Sequence, residues 1–263
     1  TPAAMLKRKE VTGIDMQFVY PDVTLTVSQP HAAALLATVR DRLAQRQGFA
    51  LATINLDHLV KLRGDASFRR AYAAQDLVVA DGNPIVWLSR MARRPVQRVA
   101  GSDMVLPLAR LAAQAGVPVA LVGATAAALS SAAVTLQAEV PGLQIPLTLA
   151  PAMGFDPDGP EAADILRQLD EAGIGLALLA LGAPKQERLA ARGRALAPQV
   201  GFASIGAGLD FLAGTQRRAP VWVQQIAMEW AWRMMTNPKR LIPRYWACLK
   251  LLPLEALRAL RMR

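Results

Sequence analysis

The chain has very little sulfur and imidazole. Its 263 residues include one cysteine, Cys248, and two histidines, His31 and His58. A single thiol cannot form an internal disulfide, and its presence alone is typical of a protein that works in a reducing compartment. A zinc cluster draws about four ligands, mostly Cys and His, so this composition excludes one.

Long hydrophobic runs are also absent. No stretch reaches the roughly 18 uninterrupted apolar residues of a membrane-spanning helix. Residues 1–10 carry charges without the apolar core of a signal peptide behind them. We therefore expect a chain that does not cross a bilayer, although it can lie on one. Hydrophobic residues make up 53% of the chain, which is ample for a buried core and argues against disorder.

Acidic residues are outnumbered by basic ones. The chain has 20 Asp and Glu against 30 Lys and Arg, which gives a net charge of +10. Such an excess favours a polyanionic partner: nucleic acid, an anionic lipid or a phosphorylated substrate.

Short apolar runs alternate with helical stretches between residues 11 and 220. The predicted strands are 49–54, 77–80, 117–122, 176–181 and 200–205, and the predicted helices are 31–45, 102–115, 126–139 and 159–172. Because the strands are apolar on both faces, they are typical of a parallel sheet with helices on each side. The pattern predicts an α/β fold with an open, mostly parallel, Rossmann-like sheet.

Glycines and polar residues stand where these strands end. Ligands of open α/β sheets bind outside the carboxyl ends of the strands, so these residues are expected to share one site. They are Thr53, Asn55, Asp81, Gly82, Asn83, Gly123, Gly182 and Asp210.

The segment Gly-Ala-Pro-Lys-Gln-Glu at residues 182–187 carries the most chemistry. Gly182 ends a buried strand, and a helix is predicted from near Gln186. A turn of this kind offers backbone N–H groups and a positive dipole end to an anion. Lys185 adds a charge, Gln186 adds an amide that donates and accepts, and Glu187 adds a carboxyl group. An ordinary strand-to-helix loop with solvated polar residues is the alternative at this point.

Asp81 is the candidate general base. It follows a buried strand and precedes Gly82, so its carboxylate would emerge at the active edge of the sheet. A carboxylate suits abstraction of a proton from an acceptor hydroxyl. The alternative is a plain Asp-Gly turn, which is the commoner role of this dipeptide.

Asp156 and Asp158 have a spacing that suits a divalent ion. The surrounding Pro157 and Gly159 are equally typical of a turn that leads into a helix. We favour the turn, with Asp158 as a helix cap, and expect no metal.

The composition changes near Pro220. Tryptophan and arginine become dense, and residues 237–263 carry seven Lys and Arg against one acid, Glu255. This predicts a catalytic core at 1–220 and a basic appendage at 221–263. Tryptophan with arginine allows nucleic-acid stacking, but interfacial contact with an anionic membrane surface is the better interpretation. Pro243 and Pro253 argue for short segments rather than one continuous helix.

Several motifs occur along the chain in a fixed order. They are Thr53-Ile54-Asn55, Asp81-Gly82 and the segments at 98–103, 181–187, 206–210, 217–222 and 229–233. This ordered set closely resembles the WecG/TagA/CpsF family of bacterial glycosyltransferases, over roughly residues 10 to 245. The resemblance implies an inverting hexosyltransferase (EC 2.4.1) that needs no metal or other cofactor. It would move a sugar from a UDP-sugar to a polyprenyl-diphosphate-linked acceptor.

The resemblance also implies roles for individual residues. The family's proposed base matches Asp81, and its C-terminal appendage engages the membrane and completes the site. Thr53, Asn55 and Gln186 would contact the donor sugar or the diphosphate, and Phe155 and Asp210 would lie near the nucleoside. The arginines expected to offset the charge of the leaving diphosphate are Arg98, Arg218, Arg233, Arg240 and Arg244.

The donor sugar is less determined than the reaction. Thr53-Ile54-Asn55-Leu56 departs from the Thr-x-Asn-Pro pattern of the teichoic acid branch and looks closer to the xanthan-type branch. This favours UDP-glucose and exopolysaccharide assembly, with UDP-N-acetylmannosamine as the alternative.

A non-catalytic nucleotide- or nucleic-acid-binding module is the alternative of another class, although no nucleic-acid motif is present. The resemblance places the protein peripherally on the cytoplasmic face of the inner membrane and leaves a homo-oligomer open.

Overall fold

A computed structural model describes residues 15–216 and 238–263, with Pro220, Val223, Trp232, Met234 and Met235 between those ranges. The strands are β1 (Gln17–Val19), β2 (Thr24–Thr26), β3 (Phe49–Ile54), β4 (Leu77–Ala80), β5 (Val119–Gly123), β6 (Leu147–Leu149), β7 (Leu176–Ala180) and β8 (Gly201–Ser204). The helices are α1 (Ala32–Ala44), α2 (Leu56–Gly64), α3 (Ala66–Ala73), α4 (Asn83–Met91), α5 (Gly101–Gln114), α6 (Ala126–Glu139), α7 (Pro160–Glu171), α8 (Lys185–Leu196), α9 (Gly208–Leu212) and α10 (Pro238–Leu260).

The centre of the molecule is a six-stranded sheet in the order β4-β3-β8-β7-β5-β6. Every pairing in it is parallel, while β1 and β2 form a separate antiparallel pair. The predicted open parallel α/β fold is confirmed.

Apolar side chains cover both faces of the sheet, as a parallel sheet requires. On one face, Leu51, Val79 and Leu121 pack with α1, α5, α6 and α9. On the other, Ile54 packs with α2, α3, α4 and α10, and Phe202 packs with α7 and α8. Alternate residues of each strand thus point into opposite cores.

Two short elements escape prediction from the sequence. The hairpin β1–β2 and the edge strand β6 have three residues in each strand. In β6 none of the three residues is fully buried. These three-residue strands are too short and too exposed to show the buried apolar run that identifies the longer strands.

Gly123 lets β5 and β7 come together at the edge that carries the site. It has φ of +115°, a region that L side chains rarely adopt. A Cβ there would lie 2.5 Å from the carbonyl carbon of Ala180. Only glycine fits at this point.

The structure corrects the expectation of short segments after residue 237, because α10 is one helix of 23 residues with Pro243 and Pro253 inside it. Each proline removes one backbone N–H, which leaves the carbonyl four residues earlier without its helical partner. Those carbonyls belong to Lys239 and Leu249, which are exposed, so water can take the missing hydrogen bonds.

α10 has one buried and one exposed side. Cys248, Leu251 and Ala259 enter the core that α2 and α4 share. Ile242, Trp246, Leu249 and Leu257 remain between 53% and 60% exposed. No helix in the described part of the chain has the length and apolar character to span a membrane. The predicted boundary near Pro220 falls where only isolated residues are described.

Candidate active site

Five neighbouring strands end at one edge of the sheet, which we call the carboxyl edge. In spatial order these strands are β4, β3, β8, β7 and β5. Asp81, Asn55, Gly206, Gly182 and Ala124 follow within two residues of the respective strand ends. The polar strand-end residues predicted to share one site are therefore placed side by side. Adjacent strands are about 4.8 Å apart, so this row spans about 19 Å.

Helix N-termini add positive potential to the carboxyl edge. α2, α4, α6 and α8 each begin just after a strand that ends there. Their first turns present backbone N–H groups and the positive end of the helix dipole. The edge is thus electrostatically suited to an anion such as a diphosphate.

Asp81 lies at the end of β4, beside the end of β3. Its backbone N–H donates to the carbonyl of Ile54 at 2.8 Å, and the residue is partly exposed. Gly82 follows with φ of +88° and precedes Asn83, the first residue of α4. The turn therefore holds the carboxylate at the sheet edge, where solvent and ligand can reach it.

Thr53 and Asn55 flank the end of β3. Thr53 is 6% exposed, so its side chain is largely enclosed. The side-chain oxygen of Asn55 caps α2 by accepting the His58 backbone N–H at 3.0 Å. This cap explains why a helix starts at Leu56, and it fixes the orientation of the Asn55 amide.

Arg98 lies in a segment that contacts the end of β4. The N–H of Val99 donates to the carbonyl of Ala80 at 2.7 Å. Nη2 of Arg98 lies 3.8 Å from Oδ2 of Asp103, a residue in the first turn of α5. The side chain of Arg98 is 36% exposed, so the guanidinium is accessible at this edge.

The 182–187 segment forms the turn from β7 into α8. Gly182 has φ of +70°, and the Ala183–Pro184 peptide bond is cis. Lys185 is the first residue of α8 and partly exposed, whereas Gln186 and Glu187 are buried. The predicted anion-binding turn therefore has an open half and an enclosed half.

Glu187 is a fully buried carboxyl group at the base of this turn. Its Oε1 accepts from Nε2 of Gln186 at 2.8 Å. Oε2 has no hydrogen-bond partner among the residues that the structure describes. Burial raises the pKa of Glu187 to about 7, although the hydrogen bond from Gln186 and the charge of Lys61 act in the opposite direction. The group therefore changes protonation near neutral pH.

A buried aromatic pair lies behind the end of β3. The Tyr72 hydroxyl donates to the carbonyl of Thr53 at 2.8 Å and lies 2.8 Å from Nδ1 of His58. Since the hydroxyl hydrogen is used on Thr53, Nδ1 of His58 carries the proton and donates to Tyr72. Burial lowers the pKa of His58 to about 3, so the ring stays neutral. It supports β3 from the core and does not line the open edge.

Asp57 is a charged residue of this region that the sequence did not single out. Its Oδ1 lies 2.9 Å from Nε of Arg244 on α10, and its Oδ2 lies 2.8 Å from Nζ of Lys61. Both contacts are ion pairs, and neither has the geometry of a hydrogen bond. Nζ of Lys61 also donates to the carbonyl of Ala183 at 3.1 Å. Only the i, i+4 spacing of Asp57 and Lys61 is visible in the sequence.

The remaining predicted nucleoside contacts are more enclosed than expected. Phe155 is 5% exposed and packs in the core beside α7. Asp210 accepts from Thr215 and Gln216 through its side chain, and partial burial raises the pKa of its carboxyl group. Their contacts with a nucleoside stay predictions.

Asp156 and Asp158 form a turn. Oδ1 of Asp156 accepts the Asp158 backbone N–H at 3.0 Å, while Asp158 pairs with Arg188. Helix α7 then begins at Pro160, with Gly159 rather than Asp158 at the cap position.

The side chains of three predicted arginines lie outside the described part of the structure. Arg218 and Arg233 lie outside the described residues, and of Arg240 only the backbone is described. Arg244 is thus the C-terminal arginine whose side chain the structure locates near the carboxyl edge.

The structure shows an open α/β protein with polar residues and helix N-termini along one edge of its sheet, and sequence comparison identifies the class. The model of the Glycosyl transferase WecG/TagA/CpsF family matches residues 22–263. The chain therefore belongs to this glycosyltransferase family, as its motifs indicated.

Among curated proteins, the chain is similar to an N-acetylglucosaminyldiphosphoundecaprenol N-acetyl-beta-D-mannosaminyltransferase of Bacillus spizizenii. The two are 27% identical over 199 residues, which is 75% of each chain. The name of this relative describes the transfer of N-acetylmannosamine to a lipid-diphosphate-linked acceptor. It gives no support to the UDP-glucose leaning and favours the N-acetylmannosamine alternative.

Proposed function

We propose that this protein transfers N-acetylmannosamine from a UDP-sugar to N-acetylglucosaminyl-diphospho-polyprenol. The observation that carries the proposal is the carboxyl edge, where Asp81 and the 182–187 turn follow the ends of β4 and β7. Arg98 precedes Val99, whose N–H donates to the carbonyl of Ala80 at the end of β4. The family match and the name of the Bacillus relative support the substrate classes. A glucosyl donor has no comparable support.

Asp81 would act as general base. Its carboxylate takes the proton of the acceptor hydroxyl as that oxygen attacks the anomeric carbon of the donor. The bond between this carbon and the diphosphate oxygen breaks, and UDP leaves with the electron pair. Attack from the face opposite the leaving group inverts the anomeric centre. The partial exposure of Asp81 at a helix-flanked edge supports this role.

The charge that develops on the leaving diphosphate would be offset by groups of this chain. Backbone N–H groups at the start of α8, with Lys185, are candidates at the end of β7. Arg98 and Arg244 add forked donors that match phosphate oxygens. Preorganised donors of this kind stabilise the charge as it forms.

The sugar would lie between the ends of β3 and β7. Asn55 is held by its cap, so its amide nitrogen is the group that would donate to a sugar substituent. An N-acetyl group at C2 offers a carbonyl acceptor that glucose lacks. A donor placed opposite it would therefore discriminate between the two sugars.

An anionic membrane surface is the proposed second partner. The exposed side of α10 presents Ile242, Trp246, Leu249 and Leu257, with Lys250 beside Trp246 at 5.4 Å from the ring centre. Apolar and basic side chains in this arrangement suit a headgroup interface. A polyprenyl-linked acceptor would be presented there.

The test is transfer by the purified protein with each of three donors: UDP-N-acetylmannosamine, UDP-N-acetylglucosamine and UDP-glucose. The acceptor is a short-chain N-acetylglucosaminyl-diphospho-lipid, and the product is identified by mass. We expect efficient transfer of N-acetylmannosamine alone. Preferred transfer of glucose would restore the xanthan-type alternative, and no transfer from any donor would reject the proposed function.

A further inference from the structure

Asp57 joins three segments that are far apart in the chain. Its two oxygens meet Arg244 of α10 and Lys61 of α2 at 2.9 and 2.8 Å, and Lys61 reaches the carbonyl of Ala183 at 3.1 Å. We call Asp57, Lys61, Arg244 and this carbonyl the Asp57 junction. One carboxylate thus ties the start of α2 to both the 182–187 turn and α10.

Each member of the Asp57 junction lies close to a residue with a role in the proposed reaction. Asp57 is two residues after Asn55, and Ala183 is two residues before Lys185. Arg244 lies within the first two turns of α10. Each member is therefore next to a group to which the proposed reaction gives a role at the carboxyl edge.

Apolar packing alone does not fix where Arg244 lies. Cys248, Leu251 and Ala259 hold α10 against the core, but such contacts tolerate small sliding movements along a helix. A charged pair, in contrast, selects one register. The side chain of Asp57 is 10% exposed, so a displaced Arg244 would leave it facing Lys61 alone.

Asp57 differs from Asp81 in what it can do. Both of its oxygens face cations, and it is nearly enclosed, so it is poorly placed to take a proton from an acceptor. The guanidinium of Arg244 has five N–H donors, so contact through Nε still allows the Nη groups to meet a phosphate. The junction can therefore hold Arg244 while Arg244 holds a ligand.

We propose that Asp57 is a positioning residue of the transferase: it sets the place of Arg244 and of the 182–187 turn relative to Asn55. It does not touch the substrate. The proposal rests on the proposed function for its catalytic part only, because the placement of α10 and of the 182–187 turn does not depend on which reaction occurs.

The native cysteine can be used as a probe of whether α10 stays in place. Cys248 is the only cysteine of the chain and lies buried on α10. Burial raises the pKa of its thiol to about 11, so a docked helix should react slowly with an aromatic disulfide reagent at pH 8. If α10 shifts or lifts, the thiol reacts faster.

The experiment compares full-length D57N, D57E, R244Q and the D57N/R244Q double variant with wild type. The measurements are Cys248 reaction rate, UDP affinity by calorimetry, and kcat with the lipid acceptor. We expect D57N to raise the thiol rate at least tenfold, weaken UDP binding about tenfold and lower kcat at least tenfold. D57E should recover most of each effect. The double variant should be no worse than the more severe single variant, since both remove one contact.

The matched control is D164N, which breaks the exposed pair of Asp164 and Arg167 on α7. It should behave like wild type in all three measurements. A D57N variant with faster thiol reaction but unchanged kcat and UDP affinity would reduce the junction to a structural latch and overturn the proposal. An unchanged thiol rate, or fully additive effects of D57N and R244Q, would overturn it as well. If D57N does not fold, D57E and R244Q carry the same comparison.

Failure of the proposed function remains separable. If the wild type transfers no sugar from any donor, the Cys248 reaction rate and the UDP affinity of D57N can still be compared with those of wild type. A response of the thiol rate without any change in UDP affinity would then overturn the positioning role.

Discussion

Two buried ionisable residues near the carboxyl edge have displaced pKa values that make the stability of the fold depend on pH. Burial raises the pKa of Glu187 to about 7 from an ordinary value of 4.5. Burial also lowers the pKa of His58 to about 3 from 6.5. Both shifts favour the neutral form. Glu187 costs stability as the pH rises, and His58 costs stability as the pH falls.

Glu187→Gln should remove the loss of stability that Glu187 causes as the pH rises. The stability that neutral Glu187 allows is fully present below pH 4.5 and is lost as the pH rises through about 7. A glutamine side chain at this position has no proton to lose, and its carbonyl oxygen can accept the same bond from Gln186. Relative to wild type, E187Q should therefore gain on the order of a few kcal/mol of unfolding free energy between pH 4.5 and pH 8.

Urea unfolding at several pH values checks this. The His58 contribution is common to both proteins and cancels in the difference. E171Q, on the exposed surface of α7, is the matched control and should follow wild type. A parallel pH dependence for E187Q and wild type would show that Glu187 is not held neutral.

Chelation should leave turnover unchanged. In the described residues no group of three or more His, Cys, Asp or Glu is placed to hold a metal ion, and Asp156 and Asp158 serve a turn and an ion pair with Arg188. We expect the same rate with EDTA as without it. Loss of activity that manganese or magnesium restores would assign a metal to the reaction.

At the scale of the element, the buried strands are easier to predict than the short, exposed ones and the tertiary contacts. The five predicted strands, β3, β4, β5, β7 and β8, are apolar on both faces, which identifies a covered parallel sheet. β6 is short and half exposed, so it carries no such signal. The continuity of α10 is hidden in the sequence because Pro243 and Pro253 normally interrupt a helix, and only the exposure of Lys239 and Leu249 shows how the missing bonds are met. Contacts such as Asp57 with Arg244 depend on tertiary packing, which no local pattern encodes.

The close approach of β5 and β7 yields a prediction at this scale. Gly123→Ala places a Cβ 2.5 Å from the Ala180 backbone at φ of +115°. Strain and overlap together should cost about 2–5 kcal/mol of unfolding free energy.

Gly142→Ala is the matched control for this change. Gly142 has φ of +81° but no atom within 4 Å of the added Cβ, so the cost should be only about 1–2 kcal/mol. Chemical denaturation of both variants measures the difference. Equal losses would mean that β5 and β7 can separate without cost.

At the scale of the whole molecule, the positive charge and the apolar side of α10 would act together in the proposed membrane contact. A net charge of +10 attracts the chain to anionic surfaces. The exposed apolar residues of α10 would then enter the headgroup region. The first interaction weakens with salt, whereas the second does not.

Replacing Trp246, Leu249 and Leu257 together by serine should lower binding to anionic vesicles at least tenfold. The loss should be greatest at high salt, where apolar contact is the main attraction. The fold should persist because these side chains are 56–60% exposed. Vesicle co-sedimentation measures the change. Met153→Ser, at a fully exposed residue away from α10, is the control, and equal binding by all three proteins would exclude this surface from membrane contact.

The most direct test of the central claim is the transfer rate of Asp81→Asn beside wild type. In the proposed reaction the carboxyl edge performs sugar transfer with Asp81 as its base. Asparagine keeps the shape but cannot take a proton, so the rate should fall by roughly two to four decades. UDP affinity and thermal stability should stay near wild type. Near-normal transfer by D81N would contradict the claim and place the base elsewhere.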